Sequence, residues 1–521
     1  MTPRAPRALA VVALVVAACQ AAPSATLAIS SAAAGCGTPA ACEQRAADRL
    51  EAVRGDPAAL TALLRRLPKG ADLHNHLSGA VYAESYLTWA REDGLWIDAD
   101  HKLVDAACDG CTKLPASPDD PRFAAIVRAW SMQDFDASAG ETGHDHFFST
   151  FGKFRMASHT PAREAAMIAE VIRRTGDDGA LYLELLMNLS RPGRDDIVRD
   201  AGAPDPRDLT AYADKLQADP RWPALVAAAH DRLIDRDRQA RALLGCGTPE
   251  AAPACGLTVR YLDDVGRTGP PGRVLADLVL AFELAAIEPR VVGVDLSAPE
   301  DNPIARRDYD LHMAMIAALT ARFRGTSPLR VTLHAGEITA ALVPPADLGF
   351  HIRNAIEIAH AERIGHGVDV LGERDAPQLL AEMRARGVAV EVCLTSNAVI
   401  LGVSGAAHPL AAYLAAGVPV VLATDDAGVS RSSLTGELVR AVTVQGVSYR
   451  QLKALARNSL TAAFVPGASL WAAGQPSALA APCAGSVAPR PSSACSALLA
   501  TSERARLQWA LEARFAAFEA E

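Results

Sequence analysis

Aromatic residues are scarce in this chain of 521 residues: 12 Phe, 6 Trp and 8 Tyr make up 5% of it. With the abundance of Ala, Arg and Pro, that scarcity reads as a GC-rich coding bias and carries no function. Basic residues are not in excess either, and the formal net charge of −9 argues against a nucleic-acid-binding surface, which is normally basic. No segment strings together the ~18 uncharged apolar residues of a membrane-spanning helix. No internal repeat is visible beyond an alternation of short apolar runs and helical stretches. Hydrophobic residues nevertheless make up 50% of the chain and charged ones 21%, so a sizeable core is expected and wholesale disorder is not. The length suits one large barrel with additions, or two to three ordinary domains.

The first residues have the pattern of an export signal. Arg4 and Arg7 precede an apolar run over residues 8–18, too short to anchor a helix across a bilayer. The run ends in Val16-Ala17-Ala18-Cys19, which resembles a bacterial lipobox, where cleavage leaves the cysteine to be acylated. An ordinary secretory signal cut at a nearby small residue is the alternative. The expected organisation is a signal over 1–19, a tether and lead-in helix over 20–60, a barrel over 61–470, and a Pro/Ser-rich segment with a final helix over 471–521. The protein is expected in the periplasm or cell envelope, touching membrane only through a lipid anchor at Cys19.

Eight of the ten cysteines fall in close pairs: Cys36/Cys42, Cys108/Cys111, Cys246/Cys255 and Cys483/Cys495. In an oxidising compartment each pair would close a small local disulfide loop. Cys108-Asp109-Gly110-Cys111 could also be a redox or zinc CxxC, but no second pair stands at zinc-finger spacing from it. Cys393 lies in an apolar run and reads as a buried free thiol.

Eight runs rich in Val, Leu and Ile occur at residues 71–77, 181–187, 257–262, 291–296, 329–334, 363–367, 388–394 and 419–424. They show little of the alternation of a half-exposed strand, which is how buried parallel strands read. Amphipathic segments lie between them, for example 305–323, 377–386 and 411–416. The pattern predicts an α/β fold, a (β/α)8 TIM barrel, with helical or loop insertions after strands 1 and 2 (residues 81–178 and 189–256) and a C-terminal helix from 501 to about 518. Long connections in a barrel usually cover or flank its active site.

Polar residues stand at the ends of four of these runs. His74-Asn75-His76 ends the first, His334-Ala335-Gly336-Glu337 the fifth, Gly365-His366-Gly367 the sixth and Thr424-Asp425-Asp426 the eighth. In a strand, His74 and His76 point to one face and can reach one ion. Three imidazoles and a carboxylate suit Zn²⁺. Taken singly, an HxH is common, His366 could be a packed core residue, and Asp425-Asp426 could cap a helix. Four such elements in order, each after a buried strand, point to a metal site in a barrel mouth.

Together with Leu67-Pro68-Lys69-Gly70-Ala71-Asp72-Leu73-His74-Asn75-His76-Leu77-Ser78-Gly79-Ala80, these motifs resemble the adenosine/AMP deaminase family of the metal-dependent amidohydrolase superfamily, over roughly residues 62–470. The Pro-Lys-Gly start resembles its secreted, growth-factor-like branch. The resemblance implies one zinc per chain on His74, His76, His334 and Asp425. It implies Glu337 as the proton-transfer carboxyl, His366 with Asp425 as the groups that accept or steer the proton of the attacking water, and Asp426 as a purine contact. Asp295-Leu296-Ser297-Ala298-Pro299-Glu300 resembles the fourth-strand motif whose backbone amide, here that of Ala298, meets the ring. Two positions depart from the family. Ser78 stands where an aspartate commonly binds the ribose 5′-hydroxyl, and Ala298-Pro299 replaces a glycine-containing turn.

The implied reaction is hydrolytic deamination of adenosine or 2′-deoxyadenosine to inosine and ammonia, with a purine nucleoside as the partner molecule. Adenine, AMP or a modified nucleoside is the alternative within the same chemistry. No obvious Arg/Lys cluster flanks the motifs, which counts against AMP. A binding or signalling protein retaining the fold is the alternative outside it. Cytidine-deaminase chemistry is excluded, since it uses H-x-E with P-C-x-x-C, and the CxxC here follows Ala107. The Phe-rich stretch 147–154 reads equally as an apolar lid or as helix core. His144 and His146 read as surface or pocket-edge residues and His312 as structural. Oligomeric state is not legible in the sequence.

Overall fold

A computed structural model describes residues 36–521 except 191 and 474. The segment expected to be an export signal, including Cys19, lies outside the described residues. Eight parallel strands form one sheet: β1 (Ala71–His76), β2 (Tyr182–Met187), β3 (Thr258–Gly266), β4 (Val291–Ser297), β5 (Arg330–Ala335), β6 (Arg363–His366), β7 (Ala389–Val392) and β8 (Val420–Leu422). They are hydrogen-bonded in sequence order. Every anticipated strand is present; all but β3 are buried almost throughout and so read as apolar runs, while Thr258, Arg260 and Asp264 of β3 are only partly buried.

The barrel closes just past β8. The Asp425 N–H donates to the His74 carbonyl at 2.8 Å, and the His76 N–H donates to the Asp425 carbonyl at 3.3 Å. Asn75 and Asp425 form a parallel bridge. The seam of the (β/α)8 barrel is therefore built from its candidate metal ligands. The β1–β2 register also shifts between Asp72 and Asn75, within the His-Asn-His segment.

Charge fills the barrel beneath the mouth. Arg363 of β6 donates through Nη2 to Glu184 of β2 at 2.5 Å and through Nε to Glu391 of β7. Its guanidinium lies 3.6 Å from the Phe464 ring centroid. Buried charges persist only when paired in this way, since an unpaired one would cost several kcal/mol, on the order of 3–5.

The insertion after β1 holds the helices Ala83–Glu92, Pro121–Ala129, Gly143–Ser158 and Pro161–Asp177 and a small antiparallel sheet of Trp96–Ile97, Leu103–Val104 and Thr112–Lys113. The insertion after β2 holds Arg194–Ala201, Leu209–Ala218 and Trp222–Leu243. The lead-in helix proves to be two, Pro39–Val53 and Pro57–Arg66, because Asp56 caps the second and Pro57 starts it. The final helix is Glu503–Ala520, capped by Ser502, and a further short helix, Ser493–Thr501, precedes it. Both ends of the described chain pack together: Arg45 and Arg49 donate to the carbonyls of Ala520 and Phe518 at 3.0 and 2.7 Å. The four cysteine pairs are all disulfide-bonded, and Cys393 is free and buried.

Candidate metal centre and active site

His74 and His76 leave β1 on one face and meet His334 from the end of β5. The Nε2 atoms of His74 and His76 each lie 3.2 Å from His334 Nε2. Asp425 Oδ1 stands 3.7 Å from His74 Nε2 and 3.5 Å from His76 Nε2. Ligand atoms of all four residues fall within 4.8 Å of one another. Zinc–nitrogen bonds of ~2.0–2.1 Å in a tetrahedron set ligand nitrogens about 3.3 Å apart, close to the spacing observed.

The outer ring nitrogens show which atoms are free to bind. His74 Nδ1–H donates to Glu391 Oε2 at 2.7 Å and His76 Nδ1–H to Asp264 Oδ2 at 3.2 Å. His334 Nδ1 lies 2.8 Å from Asp295 Oδ2, off the hydrogen-bonding direction. The carboxylates behind Nδ1 of His74 and of His76 hold the proton there and leave an Nε2 lone pair facing the centre. Three lone pairs and a carboxylate oxygen converging in a buried site fit a divalent cation.

Burial raises the Glu391 carboxyl, but Arg363 and His74 outweigh it and hold it down at about 2. Burial lifts Asp295 to about 7. His334 is pushed well below the usual imidazole range by burial and by His74 and His76, so its ring is neutral.

The backbone is unusual at these positions. His366, Asp425 and Ala298 adopt positive φ of 65°, 58° and 92°, a conformation costing of order 1–3 kcal/mol that clusters at functional sites. Two glycines make room for the groups. A Cβ on Gly365 would stand 2.8 Å from His74 Cε1, and one on Gly79 would stand 1.6 Å from Asp426 Oδ1.

Above the centre lies a cavity of about 360 Å³. His76, His334, Glu337, His366, Asp425 and Asp426 line its floor, and Ser78 and Ala298 its sides. His74 does not reach the cavity; its ring is fully buried beneath. All the anticipated site residues are thus brought around one centre. Phe147, Phe148, Phe151 and Ile400 form an apolar wall. The Phe-rich stretch serves both readings: three of its rings face the cavity, while Phe154 stacks on Tyr86 with centroids 4.8 Å apart.

Glu337 is held through its backbone. Glu300 accepts from the Gly336 and Glu337 amides at 3.0 and 2.7 Å and from His351 Nδ1. Burial, with the charges of Asp425 and Glu300, pushes the Glu337 carboxyl well above the usual range, which favours its protonated form. Asp426 is raised by burial and by Asp425. His366 is pushed far down by burial, and Asn397 Nδ2 lies 3.0 Å from its Nδ1. Arg267 donates to the carbonyls of Ala298 at 2.8 Å and His334 at 3.2 Å, tying the β4 loop to β5.

The remaining histidines separate. His144 Nε2 meets Asp301 at 3.1 Å, linking the Phe-bearing helix to the β4 loop. His146 bonds Glu141 and the carbonyls of Arg128 and Ser131 inside the insertion. His312 is buried without a partner and pushed down to about 4 by burial.

Sequence reasoning missed Glu391, Asp264, Arg267, Asn397 and His408. A charged residue inside an apolar run was the available signal for Glu391, whereas Asp264 lies just past the run at 257–262.

The family described as adenosine deaminase matches residues 223–470. An adenine deaminase of Rhizobium leguminosarum bv. trifolii is 36% identical over 139 residues, 26% of this chain and 39% of that protein. An adenosine deaminase of Clostridium perfringens is 34% identical over 139 residues, with the same coverage of 26% and 39%. The chain therefore spans about two fifths of the length of these curated relatives. In fold, it resembles the crystal structure of adenine deaminase from Arthrobacter aurescens with a TM-score of 0.51 at 18% identity, covering 77% of this chain and 94% of that one. The part of the chain that matches the adenosine deaminase family model, residues 223–470, carries β3 to β8 and with them His334, Glu337, His366, Asp425 and Asp426.

Proposed function

We propose that this protein is a zinc-dependent hydrolase that deaminates adenosine or 2′-deoxyadenosine, with water replacing the amino group and ammonia leaving. The observation that carries this reading is the buried carboxyl of Glu337 in the cavity above three imidazole nitrogens and a carboxylate aimed at one point. His74, His76, His334 and Asp425 would hold one zinc, which supplies an activated water at neutral pH. Glu337 hands its proton to the ring nitrogen beside the amino-bearing carbon, making that carbon electrophilic. Asp425 and His366 stand beside the incoming water to take or steer its proton. Asp426 and the backbone at Ala298 orient the ring, Ser78 faces the sugar end, and the Phe147–Phe148–Phe151 wall excludes bulk water.

Adenine is the second reading, supported by the relative named adenine deaminase. AMP is disfavoured because, among the described residues lining the cavity, none is Lys or Arg. A binding protein that merely keeps the fold has no use for an intact proton-transfer carboxyl. A spectrophotometric screen of adenosine, 2′-deoxyadenosine, adenine and AMP with the zinc-loaded protein tests the reading. Turnover of adenosine or its 2′-deoxy form is expected, and inertness towards all four overturns it.

Export is part of the proposal. Four local disulfides suit an oxidising compartment. Arg4, Arg7 and the apolar run before Cys19 suit a lipid-anchored envelope protein. Mass spectrometry of the mature N-terminus tests it: an acylated Cys19 is expected, and a retained Met1 contradicts it.

A further inference from the structure

A second cavity, of about 310 Å³, adjoins the one above the candidate metal centre. Ser78 and Asp264 line both, so these two side chains stand between them. Asp264 is pinned there by its contact with His76 Nδ1 at 3.2 Å. Ser78 is short, and the aspartate it replaces would set a larger, charged side chain in the same wall.

The two long insertions build this second cavity. Ser158, His159, Thr160 and the helix Pro161–Asp177 belong to the first, and Arg232 lies on the helix Trp222–Leu243 of the second. Glu164 of the first insertion pairs with Arg232 of the second: Arg232 Nε donates to Glu164 Oε2 at 2.6 Å and Nη2 donates to Oε1. Leu77, Met167, Leu186 and Met187 supply a buried apolar wall. Charge decides what such a space can hold. Arg232 is the one Lys or Arg among its lining residues, and Glu164 already occupies its fork. A phosphate would meet the Asp264 carboxylate and no free cation. An uncharged alkyl or thioether group would meet Met and Leu side chains and gain from leaving water.

We infer that the second cavity is a substrate subsite, and that the protein deaminates nucleosides carrying an uncharged substituent on the 5′ carbon as well as the unsubstituted nucleoside. This rests on the deaminase reading, in which the ring lies at Glu337 and Ala298 and the sugar end at Ser78. A 5′ substituent then passes Ser78 and Asp264 and enters the space between the insertions. The residues that line only the first cavity meet the ring, whereas those that line only the second, Met187 and His159 among them, select the substituent without touching the reacting atoms.

The test compares adenosine, 5′-deoxy-5′-(methylthio)adenosine, its butylthio homologue and AMP on the zinc-loaded protein by ultraviolet absorbance. Each buried methylene is worth about fourfold in affinity, so kcat/KM for the butylthio compound should exceed that for the methylthio compound by about 10-fold or more. AMP should be the poorest of the four. Met187→Trp fills the second cavity with an indole. It should lower kcat/KM for the butylthio compound by about 10-fold or more and leave adenosine within about threefold. His159→Trp, at an exposed position, should do the same and replaces the buried substitution if circular dichroism shows that one unfolded. Adenosine turnover with kcat/KM falling as the alkyl chain lengthens overturns the inference, as does a folded variant that lowers both substrates alike. If no nucleoside is deaminated, the deaminase reading fails, and calorimetric binding decides the subsite. Tighter binding of the butylthio compound than of adenosine, lost in the Trp variant, upholds it; equal binding overturns it.

Discussion

Replacing Glu391 by Gln removes one negative charge and nothing of the side chain's size, and the surroundings leave the new amide no satisfactory orientation. Glu391 accepts from His74 Nδ1 at 2.7 Å, from Thr332 Oγ1 at 2.9 Å and from Arg363 Nε. With its oxygen toward Arg363, the substituted amide turns an NH₂ toward His74 Nδ1 and drives the ring proton onto Nε2, the atom facing the metal. With its oxygen toward His74, it turns the NH₂ onto the Arg363 Nε–H. Either way a donor meets a donor. Loss of such a supporting contact typically weakens metal affinity about 10–100-fold, which is about 1.4–2.7 kcal/mol. Arg363 keeps its 2.5 Å bond to Glu184, so the barrel should still close. Competition with a fluorescent zinc chelator, alongside circular dichroism to verify folding, reads the effect. A folded Glu391→Gln protein that binds zinc as tightly as wild type would refute the claim that Glu391 sets the His74 tautomer.

Glu337→Gln should abolish deamination while retaining stoichiometric zinc, measured by steady-state kinetics and metal analysis; near-wild-type activity would remove Glu337 from its role. Glu391 also predicts an acid limb of stability. Its carboxyl is held at about 2 against an ordinary value of 4.5. A depressed carboxylate stabilises the fold fully above the ordinary value and loses that contribution as pH falls through the folded value. Urea unfolding should therefore weaken between about pH 4.5 and 2, and Glu391→Gln should flatten that part of the curve. Cys483 and Cys495 close a loop with a sequence separation of 12. Their joint replacement by Ser should cost about 3 kcal/mol by chain-entropy reasoning, read as a lower urea midpoint with little change in metal content.

The barrel was legible because parallel strands buried on both faces leave unbroken apolar runs, and the candidate metal ligands because they end those runs. Glu391 was not read as a partner of His74, since that pairing joins residues on separate strands and depends on where barrel closure brings them. Asn397 and His408 carry no sequence signal at all: one lies in the short helix Leu394–Leu401 and the other in a turn, and only the fold aligns them behind His366. The break at Asp56 that divides the lead-in helix reflects a capping side chain, which a periodicity reading of the flanking apolar residues passes over.

The most direct test is to follow adenosine by ultraviolet absorbance with purified protein whose metal has been measured. The account predicts one zinc per chain, conversion to inosine with an equal amount of ammonia, loss of activity on chelation and its return with added zinc. Zinc-loaded protein that leaves adenosine, 2′-deoxyadenosine, adenine and AMP unchanged would contradict it.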